Sequence, residues 1–435
     1  MATFTVYCHG TGFNRIKGGQ SDELVAWFHN HTIGVEATLS GSLVTAGNYL
    51  INDGPGHGGN GIAQPQNVNP MTGDERRNRP LKKRMNPFSS PSFKSHLVGD
   101  TGGKETLAKI RGNISGHGWD ENVIRTVNIL QDLQFEKNQA IDRVNLVGWS
   151  RGAVTCIRIA ALMHQVFGTS IDCNIFAVDP VAGQNAGIKM MDTRILNANV
   201  KNYIAILAMH EMRSTFKPQD WSRLSVSPNT TSAIMLPMPG VHNAQVIASN
   251  PADSAHITRS LAYAFLNFLG TGLTEKPKPS LGSAVKMTEA YARLVLSLSE
   301  HKRYQTQNTF AGRGAAKGSF RRRKFATTSK MDTYTKGGKG GYWINEHHRA
   351  CFKAAFPKAY NYIFETIGGG QPQLVSKIDS DLFRVLNNSP GGEIAQSLMA
   401  KELLVADMGY QIQSGSGLYL NSPRVSWPDQ LPLHA

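Results

Sequence analysis

The sequence predicts an α/β fold: a mostly parallel sheet with helices on both faces, joined to a mainly helical C-terminal extension. Three observations lead there. The stretch Asp142-Arg-Val-Asn-Leu-Val-Gly-Trp-Ser-Arg-Gly-Ala153 places the short apolar run Val144, Leu146 and Val147 directly before a glycine-flanked turn, the pattern of a strand covered on both faces. Helical periodicity follows it, with Ile157, Ile159, Ala160, Leu162, Met163 and Val166 spaced along Ala153 to Phe167 and Gly168 placed to end the helix. Further apolar runs at Phe4 to Cys8, Cys173 to Val178, Tyr203 to Met209 and Ser232 to Met238 complete an alternation of strands and helices, which favours parallel pairing.

Taken in order, the first strand, Phe4 to Cys8, ends in His9-Gly10-Thr11-Gly12. Residues 14 to 120 are rich in Gly, Asn and Pro and include Asp53-Gly-Pro-Gly56 and a basic run from Arg76 to Arg84. Long loops of this kind on an α/β scaffold build the walls of a site, and the basic run reads as a solvated loop. Gly102-Gly103-Lys104 is not a phosphate loop, because the glycine spacing is wrong and Glu105 stands where a hydroxyl is needed. Val123, Ile124, Val127, Leu130 and Leu133 predict a helix over Asn122 to Leu133. The strand Cys173 to Val178 ends in Asp179-Pro180, Tyr203 to Met209 leads to His210 and Glu211, and Ser232 to Met238 is followed by Pro239-Gly-Val-His242. A last helix, Ile257 to Leu269, begins just after His256.

Chemistry enters at Gly148-Trp-Ser150-Arg-Gly152, a G-x-S-x-G pattern. A serine on a tight strand-to-helix turn holds a strained backbone, and a side chain at 148 or 152 would collide with the neighbouring strand or helix. Ser150 is therefore the candidate nucleophile, its hydroxyl projecting into solvent at the sheet edge. Asp179, at the C-terminal end of a parallel strand, is the candidate to orient a histidine and stabilise its imidazolium; Glu211 is the alternative acid. His242 is the candidate general base, with His256 as its rival. The chain order Ser150, Asp179, His242 is the one found in α/β-hydrolases. The backbone N–H groups of Thr11 and Arg151 are the candidate oxyanion donors. This chemistry requires neither a metal nor an organic cofactor.

Composition narrows the class. With 435 residues, the chain has room for one large domain with additions. We expect a catalytic domain over 1–272, a linker over 273–283 and a basic, helical extension over 284–435 that packs on or caps it. A formal net charge of +15 implies an anionic partner. The four cysteines, Cys8, Cys156, Cys173 and Cys351, show no metal-binding or disulfide spacing and read as buried thiols. No secretory signal is expected from Met1-Ala-Thr-Phe-Thr-Val-Tyr7, and no apolar run reaches membrane-spanning length. In the extension, Met287, Tyr291, Leu294, Val295 and Leu298 predict an amphipathic helix packed on the hydrolase, and Trp343, Ile344, Phe352, Phe356, Tyr360 and Ile363 predict another over Tyr342 to Phe364. Arg321, Arg322, Arg323 and Lys324, flanked by Phe320 and Phe325, suit an anionic membrane surface. Nucleic acid is the less favoured partner.

Several of these segments resemble the catalytic domain of the type VI secretion lipase effectors and related uncharacterised α/β-hydrolases. They are His9-Gly-Thr-Gly12, Asp53-Gly-Pro-Gly56, Gly116-His-Gly-Trp-Asp-Glu-Asn122, Gly148-Trp-Ser-Arg-Gly-Ala153, Ala208-Met-His-Glu-Met-Arg213 with Phe216 and Pro218, and Pro239-Gly-Val-His242. The resemblance covers roughly residues 3 to 270. It departs after the histidine, where Asn243-Ala-Gln-Val246 replaces the family's Ser-Asp and glycine run, and after the acid, where Pro180 replaces Thr. The resemblance implies the triad Ser150, Asp179 and His242, hydrolysis of phospholipid esters, and a toxin exported from the bacterial cytoplasm by a dedicated secretion system, with an immunity protein and a secretion-apparatus partner. The alternatives are a serine hydrolase of a non-lipid ester or thioester, or a non-catalytic anion-binding protein on the same scaffold.

Overall fold

The computed structural model describes residues 2–55, 119–183, 191–281 and 290, apart from 16–18, 20–21, 41–42, 209–210, 212, 214–215, 221–222, 228–230, 239, 249–252 and 280. The basic run at 76–84, the cluster Arg321 to Lys324, Cys351 and both helices expected in the extension lie outside the described residues.

Among the described residues, ten strands are present: β1 (Thr3–Cys8), β2 (Leu39–Ser40), β3 (Leu43–Val44), β4 (Tyr49–Asn52), β5 (Arg143–Trp149), β6 (Asp172–Val178), β7 (Ile195–Leu196), β8 (Val200–Ala208), β9 (Ser225–Val226) and β10 (Ser232–Met238). Four α-helices accompany them: α1 (Leu24–Asn30), α2 (Trp119–Phe135), α3 (Arg151–Phe167) and α4 (Asp253–Phe268). Six strands form one sheet in the order β10-β8-β6-β5-β1-β4, and every pairing in it is parallel. The five strands expected from apolar runs are β1, β5, β6, β8 and β10. The helices expected at 122–133, 153–167 and 257–269 are α2, α3 and α4, each beginning two to four residues earlier than the apolar spacing alone marks.

Alternation along the parallel strands assigns the two faces. Phe4, Val6 and Cys8 of β1, Val144 and Leu146 of β5, and Cys173, Ile175 and Ala177 of β6 are buried in one core with Val127 and Leu130 of α2 and Cys156, Ile157 and Ala160 of α3. The opposite face holds Tyr7, whose hydroxyl bonds Thr32 Oγ1 at 2.6 Å just past α1, and Phe176, whose ring meets Phe265 of α4 at 5.5 Å between centroids. Helices therefore cover both faces, as expected. Cys8, Cys156 and Cys173 are buried free thiols.

Near the N-terminal edge, the second face carries a buried amide ladder. Asn202 Nδ2 donates to Asn174 Oδ1 at 2.7 Å, Asn174 Nδ2 donates to Asn145 Oδ1 at 3.0 Å, and Asn145 Nδ2 donates to Thr271 Oγ1 and to the Leu269 carbonyl. Three strands are thus tied to the end of α4. The segment that follows, expected as a linker, does not hang free: Ile33 N–H donates to the Gly272 carbonyl, Thr274 N–H donates to that of His31, and Leu281 is buried.

Chain order and strand order diverge at one place. From β1 the chain goes outward to β4, then returns to the other side of β1 for β5 and proceeds through β6, β8 and β10. The crevice between the C-terminal ends of β1 and β5 is therefore the topological switch point, where parallel α/β sheets bind ligands.

Backbone contacts at this crevice leave no space for side chains. A Cβ on Gly152 would collide with the carbonyl oxygens of Cys8 and His9, and one on Gly148 would lie 2.6 Å from the Gly152 carbonyl carbon. By contrast Gly168, which ends α3 at φ +64°, faces open space. Gly152→Ala is expected to cost about 3 kcal/mol or more, because its Cβ would collide with backbone, and Gly168→Ala about 1–3 kcal/mol of backbone strain with no collision. Denaturant unfolding of the two variants, compared with the wild-type protein, checks the difference.

Candidate active site

Ser150 stands between β5 and α3 with φ +56° and ψ −127°, a conformation that L-residues rarely hold. Such strain costs about 1–3 kcal/mol and persists only where neighbours over-determine it. Here they do. Ser150 N–H donates to the Val178 carbonyl at 2.9 Å, and the Ser150 carbonyl accepts from Val181 N–H at 3.2 Å, so the turn is tied to the end of β6 on both sides. The expected solvent-projecting serine needs correction: residue 150 is only 7% exposed, because the first turn of α3 is pressed against the end of β1 and the turn itself against the end of β6.

Asp179 ends β6, also at positive φ (+40°) and fully buried. Its N–H donates to the Ile206 carbonyl at 2.7 Å, its Oδ1 accepts from Ala208 N–H at 3.1 Å, and its Oδ2 lies 2.6 Å from His242 Nδ1. The last distance suits a charge-assisted hydrogen bond. With the Nδ1 proton directed at the carboxylate, Nε2 is the lone-pair nitrogen of the neutral ring. His242 opens a 3-10 turn, His242–Gln245, just past β10.

Two rings enclose the imidazole. Trp149, the residue before Ser150, meets it at 5.3 Å between centroids, and Phe216 presents an edge at 4.8 Å. The contact with Trp149 brings His242 beside the serine turn. No hydrogen bond joins Ser150 Oγ to His242 Nε2 among the described residues, a looseness common in unliganded sites that tighten around substrate.

The loop after β1 supplies the third part. Phe13 N–H donates to the Gly10 carbonyl at 3.0 Å, which closes a tight turn with Thr11 and Gly12 at its centre; Gly12 has φ +71°. Gly12 N–H donates to the Pro55 carbonyl, whereas Thr11 N–H meets no acceptor among the described residues. Arg151 is the first residue of α3, at the positive end of the helix dipole. Burial lowers the pKa of its guanidinium to about 10, and that side chain lies over Trp119 at 5.4 Å.

Of the two candidate acids, it is Asp179 that meets the histidine side chain. Glu211 approaches the His242 backbone instead, accepting from its N–H at 3.4 Å. Arg213 forks onto Glu211: Nε donates to Oε1 at 2.8 Å and Nη2 to Oε2 at 2.7 Å. Burial alone would raise the pKa of this carboxyl, but the Arg213 fork and the nearby His242 outweigh it and hold it below the ordinary value. His256 lies in the first turn of α4.

Trp149 and Phe216, named from the sequence only as members of motifs, form the site with no role read for them there, and Glu23, which was not singled out, supports it. Glu23 caps α1, accepting from the N–H groups of Val25 and Ala26, and lies 3.0 Å from Nδ1 of His9. Both side chains of that pair are fully buried. Nothing in the sequence paired Glu23 with His9. No group of His, Cys, Asp and Glu among the described residues could hold a metal ion, and none of their helices is long and apolar enough to cross a membrane.

No protein-family model and no curated protein matches the chain. Solved structures similar to it include the following two. An uncharacterized protein from Pseudomonas aeruginosa aligns over 94% of this chain at 13% identity, with a TM-score of 0.37. A Tle1 effector bound to the VgrG spike from the Type 6 secretion system aligns over 56% of this chain at 13% identity, with a TM-score of 0.26. The chain spans 62% and 50% of the length of those two proteins.

Proposed function

We propose that the protein is a serine ester hydrolase in which Ser150 attacks the acyl carbon, His242 takes its proton and Asp179 holds the imidazole. The observation that supports this best is the 2.6 Å pairing of Asp179 Oδ2 with His242 Nδ1, beside a serine held at positive φ. Nε2 accepts the Ser150 proton as the Oγ–carbon bond forms, and the resulting imidazolium is stabilised by Asp179. Negative charge gathers on the former carbonyl oxygen, facing the N–H groups of Thr11 and Arg151. The imidazolium then protonates the leaving alkoxide. Water, deprotonated by His242, releases the acid from the acyl-enzyme.

The substrate we propose is a phospholipid at a membrane surface. Charge distribution along the sequence supports it. Residues 1–55 and 119–272 contain 14 Lys and Arg against 15 Asp and Glu, whereas 56–118 contain ten against four and 273–435 contain 22 against 12. The cationic excess thus lies outside residues 1–55 and 119–272, in segments that include Arg321, Arg322, Arg323 and Lys324, and lysine and arginine near an anionic leaflet contribute about 1 kcal/mol each. Export as a toxin, an immunity protein and a secretion-apparatus partner belong to the same proposal through the sequence resemblance.

Ser150→Ala is expected to lower ester hydrolysis by about 10⁶-fold and to abolish labelling by a fluorophosphonate, whereas Asp179→Asn should cost about 10⁴-fold. Full activity in purified Ser150→Ala protein would falsify the assignment, and an unlabelled wild-type protein would favour a non-catalytic scaffold. For the substrate class, hydrolysis of anionic vesicles should fall steeply between low and physiological salt as screening weakens attraction to the surface, while hydrolysis of a short soluble ester stays level. Equal salt dependence for both substrates would point to a soluble ester instead.

A further inference from the structure

The acyl-transfer steps leave one cluster unused. Glu211 is 5% exposed and makes four contacts: Oε1 accepts from Arg213 N–H and from its Nε, each at 2.8 Å, and Oε2 accepts from Arg213 Nη2 at 2.7 Å and from His242 N–H at 3.4 Å. The guanidinium of Arg213 in turn lies 3.5 Å from the centroid of the Phe216 ring, and that ring's edge contacts the imidazole. A single arm after β8 therefore grips His242 twice, at its backbone through Glu211 and at its ring through Phe216.

We propose that Glu211 is a positioning residue for His242, acting with Arg213 and Phe216 to fix the direction in which the imidazole presents Nε2. The inference rests on His242 being the general base, and it adds a second carboxylate with a role distinct from that of Asp179. Asp179 orients the ring about Nδ1 from the end of β6. Glu211 fixes where the residue leaves the chain. This division has a physical reason: His242 lies beyond the last strand of the sheet, in a short 3-10 turn, and a hydrogen bond at Nδ1 alone leaves the ring free to swing about that bond.

The arm also carries opposite charges near the ring. Asp179, Glu211 and Arg213 are its charged neighbours at the C-terminal ends of β6 and β8. On the other elements packed against the turn, Glu23 and Asp22 bridge to Ile247 and Ala248, and α4 brings His256 and Arg259. Removing Glu211 alone leaves an unbalanced cation by the imidazole, and removing Arg213 alone leaves an unbalanced anion. The two deletions must then move the pH dependence of general-base catalysis in opposite directions, which a purely structural brace has no reason to do.

The test measures kcat and KM for a short p-nitrophenyl ester from about pH 5 to 9 in wild type, Glu211→Gln, Arg213→Met and the double variant, with Ser150→Ala as the control for the ester reading itself. Glu211→Gln should shift the acid limb of kcat/KM to lower pH and Arg213→Met to higher pH, each by roughly half to one unit, with the double variant between them. In Glu211→Gln, kcat should fall on the order of tenfold to a hundredfold, the cost of a misplaced catalytic group, at nearly constant KM. Acid limbs that stay put, or that move the same way in both single variants, overturn the proposal. A second readout needs no substrate and covers the case in which Glu211→Gln fails to fold. The low-field proton resonance of His242 Nδ1–H, identified by its loss in Asp179→Asn, should broaden in Phe216→Leu as in Glu211→Gln, and an unchanged line in the folded variants counts against the arm. If the line responds as expected while wild-type protein hydrolyses no ester, the arm stands and the ester reading fails.

Discussion

Close approach of backbone to backbone at one end of the sheet is the constraint on which the rest of this structure depends. The end of β1 lies so near the first turn of α3 that residue 152 must lack a Cβ, and the crossing from β5 to α3 is so tight that residue 148 must lack one too. Gly10, whose Cβ would sit 2.6 Å from the Trp149 ring, extends the same contact sideways. Several consequences follow from this geometry. Ser150 is driven to positive φ, and Trp149 is pressed toward the loop after β1 and reaches Phe13 at 5.1 Å. Strain at Ser150 is sustained because its N–H and carbonyl are both bonded to the β6 end, so relaxing the serine would disrupt the neighbouring strand.

The opposite edge of the sheet explains how such strain is tolerated. Asn145, Asn174 and Asn202 stack side chain to side chain across β5, β6 and β8, and Thr5 and Thr271 close the ladder with a 2.8 Å hydroxyl contact. A buried polar network is unfavourable when partly satisfied and specific when its members meet one another. Because each amide reaches the next only in the correct register, the ladder fixes the relative height of three strands. That height determines whether Asp179 ends level with Ser150 and with Ala208, whose N–H it accepts. Polar residues at one end of the strands thus set the alignment of polar residues at the other, with the apolar core between them.

Much of the fold was legible in the sequence because its signals are local. Apolar runs of strand length, helical spacing and glycines at a turn each need only a few neighbouring residues to be recognised, and β1, β5, β6, β8, β10 and helices α2 to α4 all carry them. The short elements β2, β3, β7 and β9 have two residues each, too few for any period to register. The segment after residue 272 shows a different limit: Lys276-Pro-Lys-Pro279 has linker composition, yet the chain before it is held by backbone hydrogen bonds to His31 and Ile33, and backbone bonds leave no mark on composition. The serine's exposure was misjudged likewise, since a motif describes the turn and not what packs beside it. At the site, residue types at strand ends nominated Asp179 and Glu211 alike. Only coordinates separate a carboxylate at the ring from one at the backbone N–H, because the difference lies in where two loops distant in sequence cross.

The two enclosing rings bear on what the site can accept. Trp149 and Phe216 place apolar surface around the imidazole, so water reaching Nε2 does so beside hydrocarbon. Trp149 is already only 4% exposed, so in the proposed reaction an acyl chain would remove further apolar area from water at Phe216, at about 25 cal/mol per Å², and would exclude water from the attacking hydroxyl when a dry environment most strengthens the interactions of the imidazolium with Asp179. A short acyl group covers less and gains less on both counts. In the proposed hydrolase, substrate preference and catalytic strength are therefore coupled through Phe216: the wall that rewards a longer apolar acyl chain is also a wall that positions the base. In that reading the coupling favours a lipid-like substrate over a small polar ester independently of the cationic segments, because it arises among the near-neutral residues 1–55 and 119–272.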